Sequence, residues 1–420
     1  MLEPLRGLTV RGRSFVAAGL ACGLGAFVVG QRAVMQIGVF LVALPVLAAV
    51  YVSRSRYRLS CTRALVPGRL PVAHTAQVQL RLENVSRLPT SLLYVEDSLS
   101  YTLGAKPRFV LDRVEAGGRR EVGYSVRSDV RGKFRVGPLT IRMADPFGLC
   151  ELTRSFSSVD HLVVTPVISP LPSTGLGGEW AGGGDTQARQ VASAGEDDAS
   201  TREYRHGDDL RKVHWKSTAR TGELMVRRDE QPWQSRATLM LDTRAAAHYG
   251  DGPGSSFEWS VSAAASIGVH LARHGYTLRF MTDNGVDLQG ATLATAEATL
   301  LDQLAVVEPS NRGSLPVTVA RMGRGGGDGL IVAVCGTIDA DTAMALGRLR
   351  NMAAACIAVL VDTASWTALG PRAKAETEAA MESGAALLRQ AGWRVIVATY
   401  GTTLASLWPQ VAMSRTAALR

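Results

Sequence analysis

The sequence predicts a multidomain chain: an N-terminal transmembrane helical hairpin, an immunoglobulin-like β-sandwich and a doubly wound α/β domain. Two charge-free apolar runs open the chain, short alternating runs fill its middle, and apolar strands alternate with helical stretches towards its end. A length of 420 residues agrees with about three units. The predicted segments are a basic N-terminus at 1–13, two transmembrane helices within 14–52, the sandwich at 59–168, a Gly/Pro-rich linker at 169–201, a motif-dense segment at 202–228 and the α/β domain at 236–405.

The hairpin prediction depends on two apolar runs, 14–30 and 33–52, neither of which contains a charged residue. A membrane-spanning helix needs about 20 apolar residues, and about 17 is the lower limit. Only Gln31 and Arg32 separate the runs, so the two helices must be antiparallel. The alternative is a pair of helices buried in a soluble core, although such helices seldom run this long without a charge.

Basic residues flank the hairpin and predict its orientation. Three arginines precede the hairpin, four follow it and one lies in its turn. They are Arg6, Arg11 and Arg13 before it, Arg54, Arg56, Arg58 and Arg63 after it, and Arg32 in the turn. By the positive-inside bias, we expect a multi-pass protein of the cell membrane with both termini cytoplasmic. The net charge is +9, and the cluster after the second helix suits anionic membrane lipid better than nucleic acid, which is not expected as a partner.

The composition excludes several other classes of protein. Hydrophobic residues make up 46% of the chain and charged residues 20%, which is typical of folded domains rather than disordered chains. The cysteines are scattered, odd in number and without C-x-x-C spacing: Cys22, Cys61, Cys150, Cys335 and Cys356. This pattern indicates neither a zinc site nor a disulfide framework, and it agrees with a reducing compartment.

The middle of the chain, from 59 to 168, has alternating apolar and polar residues broken by Pro, Gly, Asn and Asp. This pattern is typical of an antiparallel β-sandwich, and Val78, Leu80 and Leu82 are predicted to face its core. Near its end, the sequence DPFGL predicts a tight turn with Phe147 as a plug. The following stretch, 169–201, is rich in Gly and Pro and has no apolar period, so it is predicted to be a linker.

Residues 202–228 read REYRHGDDLRKVHWKSTARTGELMVRR, an unusual density of charged and aromatic side chains. A helix is predicted from Leu210 to Ala219, with Asp208 or Asp209 as its N-cap and Val213 and Trp215 turned inward. The residues singled out in this signature segment are Arg202, Glu203, Tyr204, Gly207, Asp208, Asp209, His214, Trp215, Lys216 and Arg220.

Three interpretations of the signature segment remain open. A catalytic one makes His214 a general base oriented by Asp208 or Glu203. A nucleic-acid one uses the arginines on phosphates and Trp215 for base stacking. The preferred, structural one makes the charges an ion-pair network with Trp215 as an anchor.

The signature segment resembles a known family, domain of unknown function 58. The hallmark of that family is similar to Arg-Glu-Tyr-x-x-Gly-Asp-Asp, then His- or Asp-Trp-Lys, then Ala-Arg-Thr-Gly-x-Leu, which 202–209, 214–216 and 219–224 match. The resemblance extends to the paired helices, to RGKFRVGPL at 131–139 and to DPFGL at 145–149. It implies a membrane-tethered bacterial protein with a von Willebrand factor A-like domain, often encoded beside MoxR-type AAA+ ATPases and transglutaminase-like membrane proteins. No catalytic residue carries over from it.

The last domain is predicted from five apolar strands separated by helical stretches, the pattern of a doubly wound parallel sheet. Ligands of such sheets bind at the carboxyl ends of the strands. Asp242, Asp283, Asp362, Cys335 and Thr399 lie at or just beyond those ends. Carboxylates and hydroxyls there are ligands that Mg²⁺ prefers.

The resemblance to von Willebrand factor A domains bears on that metal site. Their signature after the first strand is Asp-x-Ser-x-Ser, and this chain has Asp242, Thr243, Arg244, Ala245 and Ala246. Both hydroxyl ligands are missing, so Asp242 is the one candidate Mg²⁺ ligand and no other cofactor is predicted. The alternative is that Asp242 caps a turn or pairs with Arg244.

Two functions follow from these features. The preferred one is a membrane-tethered cytoplasmic interaction or scaffold protein without catalytic residues. It would work with a MoxR-type AAA+ ATPase and membrane-protein partners, which the family resemblance implies, in assembly or maturation of a membrane or envelope complex. The alternative is a hydrolase-like enzyme with its site near the signature segment and Asp242.

Overall fold

The computed structural model describes residues 7–54, 59–87, 89–90, 92–145, 147–173, 201–204, 213, 215–227, 236–288, 293–311, 314–322, 329–368 and 370–413. The chain divides into two compact units, Met1–Thr165 and Pro166–Arg420. The first unit contains the apolar helices and the predicted sandwich. Most of the predicted linker, 174–200, lies outside the described residues, as do Arg6, Arg56 and Arg58.

Two apolar helices open the first unit, α1 (Val10–Val29) and α2 (Arg32–Arg54). Helix α1 begins before the charge-free run because Thr9 caps it: its Oγ1 accepts a hydrogen bond from the Gly12 amide at 3.2 Å. It ends at Gly30, whose φ of 71° is in the left-handed region that favours glycine. Both helices are long and apolar enough to cross a membrane.

The apolar surface of the two helices is mostly exposed. Only 17% and 22% of their most apolar windows are buried. This exposure does not fit the alternative of two helices buried in a soluble core of this chain. Where the helices meet, a Cβ on Gly19 would lie 2.6 Å from Val42 Cγ2 and 2.8 Å from the Gly38 carbonyl oxygen. These glycines therefore permit the close approach that small residues give to transmembrane helix pairs.

Nine described strands follow in the first unit: β1 (Leu59–Val66), β2 (Arg69–Pro71), β3 (Thr75–Asn84), β4 (Leu93–Leu99), β5 (Arg108–Leu111), β6 (Arg119–Arg127), β7 (Gly132–Ala144), β8 (Glu151–Ser155) and β9 (Asp160–Thr165). One sheet has the order β1-β3-β6, and the other has β2-β9-β7-β4-β5 with β8 on β7. Both sheets contribute to one buried core. Val78, Leu80 and Leu82 lie in it as predicted, at most 1% exposed.

One strand pair departs from the predicted antiparallel pattern. Strands β2 and β9 are parallel. The chain turns at Gly68 after β1, and the Gly68 carbonyl accepts a hydrogen bond from the Val163 amide of β9 at 3.1 Å. This turn moves the chain from the first sheet to the edge of the second, where its direction matches that of β9.

A buried ion pair joins the two sheets, and it corrects the interpretation of Arg63 as a headgroup contact. The side chains of Arg63 on β1 and Asp97 on β4 are 2% and 0% exposed, and Arg63 Nη2 lies 2.7 Å from Asp97 Oδ1. Arg63 Nη1 lies 2.9 Å from Asp160 Oδ2 on β9. The Tyr124 hydroxyl of β6 donates to Asp97 Oδ2 at 2.6 Å. Arg63 therefore belongs to the sandwich interior, because a buried carboxylate needs a partner.

The second unit contains the remaining elements: β10 (Thr201–Glu203), α3 (Trp215–Thr221), β11 (Met225–Arg227), β12 (Arg236–Leu241), α4 (Ser256–Arg273), β13 (Thr277–Thr282), β14 (Asp287–Leu288), α5 (Leu293–Val306), α6 (Leu315–Met322), β15 (Leu330–Cys335), α7 (Ala340–Arg348), β16 (Ala355–Val361), α8 (Pro371–Gln390), β17 (Arg394–Ala398), α9 (Leu404–Leu407) and α10 (Gln410–Met413). Its main sheet has the order β14-β13-β12-β15-β16-β17. The five predicted strands are present and parallel.

Helices cover both faces of this sheet, as a doubly wound arrangement requires. Leu239 and Leu241 of β12 face one core, to which α4 and α5 contribute. Met240 faces a second core, to which α6, α7 and α8 contribute. The sequence does not predict the antiparallel edge strand β14, because it is only two residues long. It also misses the short helices α6, α9 and α10.

Candidate functional site

The central strand β12 marks the place where a sheet of this topology binds ligands. From β12 the chain passes to β13 on one side, and it returns to β15 on the other side. The carboxyl ends of β12 and β15 therefore flank the switch point, the usual ligand crevice of open α/β sheets. Asp242 directly follows β12, and Cys335 is the last residue of β15.

At the switch point, Asp242 forms a two-point ion pair with Arg244. Arg244 Nε donates to Asp242 Oδ1 at 2.9 Å, and Arg244 Nη2 donates to Asp242 Oδ2 at 2.8 Å. The Arg244 amide also donates to Oδ1 at 3.1 Å, which closes a turn. Burial opposes the charge of Arg244, but the hydrogen bonds and charge of Asp242 outweigh it and raise the pKa of Arg244. Asp242 thus both caps a turn and pairs with Arg244, the two interactions that the sequence offers as the alternative to a metal site.

The segment after Asp242 fills the crevice between β12 and β15. Arg244 Nη2 donates to the Thr337 carbonyl at 3.1 Å, so the guanidinium links the two strand ends. The Thr337 amide donates to the Ala247 carbonyl at 2.9 Å. A Cβ on Gly336 would lie 1.9 Å from that same carbonyl oxygen, so only glycine fits there. The protein's own chain therefore occupies the position of a ligand.

The donor set at Asp242 does not fit Mg²⁺. Both carboxylate oxygens accept hydrogen bonds from Arg244. Positions 244 and 246 carry Arg and Ala instead of hydroxyl ligands. Within the described part of the chain, no group of three His, Cys, Asp or Glu side chains could hold a metal ion. The guanidinium already supplies a positive charge against Asp242, so a cation would have to displace it.

Two further buried polar groups lie beside this ion pair. Asp283 Oδ1 accepts a hydrogen bond from the Thr243 amide. Asp283 Oδ2 and Thr243 Oγ1 are buried, with no hydrogen-bond partner among the described residues. Burial raises the pKa of Asp283, and the hydrogen bond from the Thr243 amide offsets part of that effect.

His248 is held in place by contacts at both ring nitrogens. Its Nε2 lies 2.9 Å from the Asp242 carbonyl oxygen, and its Nδ1 lies 3.5 Å from Ser256 Oγ. Burial lowers the pKa of His248, so the ring is neutral at neutral pH. The neighbouring Ser256 is fully buried and accepts a hydrogen bond from the Tyr249 amide at 2.8 Å. A substrate cannot reach a nucleophile that is buried and engaged in this way.

The other strand-end residues do not complete a reactive site. Cys335 is fully buried, and burial raises the pKa of its thiol well above the ordinary value, so it stays protonated. Asp362 Oδ1 accepts from the Ala364 amide at 3.2 Å and caps a short helical turn. The Thr399 amide donates to Thr402 Oγ1 at 3.2 Å. These contacts stabilise the strand ends.

A cavity of about 510 Å³ lies beside the switch point rather than in it. Its lining includes Thr282, Asn284, Glu308 and Ser310, but neither Asp242 nor Arg244. The Ser310 amide donates to the Thr243 carbonyl, and the Ala245 amide donates to the Ser310 carbonyl at 2.9 Å. The edge of the cavity therefore holds the Asp242 loop in position.

The described parts of the signature segment form a small folded element. Strands β10 and β11 pair antiparallel, with Arg202 opposite Val226 and Glu203 opposite Met225. The Tyr204 amide donates to the Leu224 carbonyl at 2.8 Å. Val213 bridges to Val226 and is buried as predicted. The two ends of the signature segment are thus held together around α3.

Trp215 departs from the prediction. It is 71% exposed and does not turn inward. The reason is the position of the helix, which begins at Trp215 instead of Leu210 and so places the indole on the first turn. Arg220 is also exposed, in the last turn of α3. The interpretation of Trp215 as an internal anchor is therefore wrong.

Several signature residues cannot be assigned a geometry. Gly207, Asp208, Asp209 and His214 lie outside the described residues. For Arg202, Glu203 and Lys216 the structure describes the backbone alone. Within the described residues, the hydrogen bonds and ion pairs of Asp242 involve its own loop and β15, not the signature segment. The roles predicted for the signature residues remain predictions.

Residues 200–367 match the protein family described as "Protein of unknown function DUF58". The match supports the DUF58 family. It covers both the signature segment and the Asp242 loop. No curated protein matches the chain.

Solved structures similar to parts of this chain share little with it overall. The CARDB domain of the PF1109 protein from Pyrococcus furiosus is 14% identical, covering 26% of this chain and 91% of its own, with a TM-score of 0.19. The alkylpurine DNA glycosylase AlkC from Pseudomonas fluorescens is 12% identical, covering 30% and 39%, with a TM-score of 0.17. A beta-glucosidase from Listeria innocua is 11% identical, covering 24% and 16%, with a TM-score of 0.16. Similarities this low carry no argument about fold or activity.

Proposed function

We propose that this protein is a membrane-tethered cytoplasmic scaffold. In this proposal the hairpin is a multi-pass anchor with both termini in the cytoplasm, and the second unit is a von Willebrand factor A-like interaction domain. The partners are a MoxR-type AAA+ ATPase and membrane proteins, as the family resemblance implies. Together they would assemble or mature a membrane or envelope complex.

The closed switch point is the observation that carries the proposal. An enzyme of this topology needs an open crevice at the ends of β12 and β15. Here Arg244 joins Asp242 to Thr337, and the Ala247 carbonyl contacts Gly336 directly. Since Cys335 is buried and both ring nitrogens of half-buried His248 lie near protein acceptors or donors, this geometry favours a binding role over catalysis.

Exposed Trp215 offers a contact point for such a partner. Tryptophan is the side chain most enriched at the energetic centres of protein interfaces, and it covers about 150–250 Å² when buried. A side chain that is 71% exposed has most of that area available. The signature segment holds it on the folded element formed by β10, β11 and α3. We therefore assign the partner contact to this segment.

The test is crosslinked co-purification from membranes of cells that carry the full-length protein, followed by peptide identification. Wild type is compared with Trp215→Ala and with Tyr400→Ala, a matched control in the same unit whose side chain is 65% exposed. We expect an AAA+ ATPase with wild type and with Tyr400→Ala, and at least about tenfold less with Trp215→Ala.

Two results would contradict the proposal. One is the absence of any AAA+ ATPase among the wild-type products. The other is equal recovery of the ATPase with wild type and Trp215→Ala, which would move the contact away from the signature segment. A hydrolytic activity that Asp242→Asn abolishes while co-purification persists would instead support the hydrolase-like alternative.

A further inference from the structure

The turn between β7 and β8 is organised by the buried carboxylate of Asp145. This carboxylate is 4% exposed and accepts hydrogen bonds from the Cys150 amide at 2.6 Å and the Phe147 amide at 3.0 Å. The Gly148 amide donates to the Asp145 carbonyl at 3.0 Å, with Gly148 at a φ of 68°. These bonds tie the backbone of residues 147–150 to Asp145 and so constrain the direction of the Phe147 side chain.

This turn is attached to the start of α1. The Thr9 amide donates to the Leu149 carbonyl at 3.0 Å, and Thr9 Oγ1 donates to the Gly148 carbonyl at 2.7 Å. A Cβ on Gly12 would lie 2.2 Å from the Leu149 carbonyl oxygen, so α1 contacts the turn through the backbone of Gly12. Leu8 also pairs with Cys150 in an antiparallel bridge. The sandwich is therefore fastened to the hairpin at this point.

The side chains of the turn reach the apolar part of the hairpin. Leu149 and Cys150 are 2% and 3% exposed and cluster with Ala48 and Ala49 of α2. Phe15 of α1 and Leu44 of α2 pack against this cluster. All four helix residues belong to the charge-free runs that are long enough to cross a membrane. The turn therefore lies beside the ends of those runs, where hydrocarbon gives way to headgroups.

Phe147 is 63% exposed on this turn, so the prediction of a plug is wrong. The described chain leaves most of its ring uncovered. Arg11 and Arg13, on either side of Gly12 in α1, are exposed as well. An aromatic ring beside exposed arginines at the end of an apolar helix is the composition of a membrane interface.

We propose that residues 147–150 of this turn form a membrane-contact element, with Phe147 inserted at the headgroup–acyl boundary and Arg11 and Arg13 on anionic headgroups. This inference rests on the proposed insertion of the hairpin. The occupant is lipid because the turn packs against α1 and α2 at the ends of their apolar runs and so extends the apolar surface of these helices. The contact holds the sandwich against the membrane in one orientation, since an anchor through α2 alone would let it rotate.

The experiment places the photocrosslinking residue p-benzoylphenylalanine at single positions of the full-length protein in nanodiscs of phosphatidylcholine and phosphatidylglycerol. Position 147 is the test. Leu20, 58% exposed and near the middle of α1, reports insertion of the hairpin. Tyr101, 92% exposed, is the sandwich control. Tyr101 follows β4, whose Leu99 pairs with Val136 of β7. Val136 is seven residues along β7 from Met143, which lies beside the turn, and seven strand residues span about 24 Å.

We expect lipid adducts at positions 20 and 147 in yields of the same order, and no adduct above background at position 101. Adducts at 20 with none at 147 would overturn the inference and leave the membrane anchor intact. Adducts at all three positions would also overturn it, because contact would not be specific to the turn. No adduct at 20 would overturn the hairpin insertion and with it this inference.

Discussion

Arg244→Ala is expected to destabilise the second unit by about 3 kcal/mol, because it leaves the Asp242 carboxylate buried without its ion-pair partner. The Asp242 side chain is 0% exposed, and that of Arg244 is 22% exposed. The buried carboxylate therefore depends on the guanidinium, rather than on water, for its charge partner. The backbone amide of residue 244 remains as a donor to Asp242.

The magnitude follows from two limits. Two charges about 4 Å apart at an effective dielectric constant of about 20 attract by about 4 kcal/mol. Removal of one partner from a buried pair costs about 3–5 kcal/mol. The partial exposure of Arg244 favours the lower end, since water can enter part of the vacated space. For a unit of this size, about 3 kcal/mol corresponds to a fall in melting temperature of about 6–12 °C.

Tryptophan fluorescence can follow this unit within the intact chain. All seven Trp residues lie at position 180 or later, so none belongs to the first unit. Urea unfolding of the full-length protein in detergent micelles, monitored by this fluorescence, therefore reports the free energy of unfolding of the second unit. The matched control is Arg372→Ala, which removes the arginine of an ion pair with side chains 93% and 67% exposed. We expect a change below about 0.5 kcal/mol for the control.

A double-mutant cycle separates the ion pair from other effects of the substitution. The double variant Asp242→Ala/Arg244→Ala is expected to be more stable than the sum of the single effects predicts, by about 2 kcal/mol. The reasoning fails if Arg244→Ala unfolds like Arg372→Ala. It also fails if the two single effects simply add, because Asp242 and Arg244 would then not be coupled.

The hairpin, the buried His270 of α4 and the Asp242 loop each give a further prediction. Gly19→Leu is expected to lower the yield of monodisperse protein in size-exclusion chromatography, because a Cβ at Gly19 would lie 2.6 Å from Val42 Cγ2. Gly25→Leu is not expected to lower it, because a Cβ there would meet nothing within 4 Å. Burial and then the charge of His274 lower the pKa of His270 from 6.5 to about 4. The free energy of unfolding is therefore expected to decrease as the pH is lowered from 6.5 to 4, by at most about 3 kcal/mol. Urea unfolding at several pH values, compared with His270→Phe, measures this loss. Millimolar Mg²⁺ is expected to change the melting temperature no more than a monovalent salt of equal ionic strength does, since Arg244 occupies both Asp242 oxygens.

The repeating parts of the fold are predictable from the sequence because their patterns are long. Strands β12, β15 and β16 are nearly continuous apolar runs buried on both faces, so the sequence predicts them directly. The alternation in β3 puts every second residue in the core over ten residues. Strand β14, with two residues, has no pattern to detect.

The partners of single charged residues are not predictable in the same way. Arg63 follows a basic cluster in the sequence, yet it lies in the sandwich interior because Asp97 and Asp160 meet it from other strands. Those partners are far away in sequence, so no local spacing indicates them. Arg244 differs, since its partner Asp242 is two residues away and the turn alone brings them together. That short spacing is why the sequence already offers the pair as an alternative to a metal.

A guanidinium and a metal ion at Asp242 would give the second unit different behaviour. A bound ion can leave, exchange its ligands and respond to concentration, whereas Arg244 is part of the chain and is held by Asp242 and Thr337 at once. A domain with a built-in cation therefore has no ion-dependent open and closed states at this position. In the proposed scaffold, a change of state comes from a partner that binds one state of the domain more tightly than another. The ion pair that fills the metal position of the switch point thus leaves partner binding, rather than ion binding, as the input to the proposed scaffold.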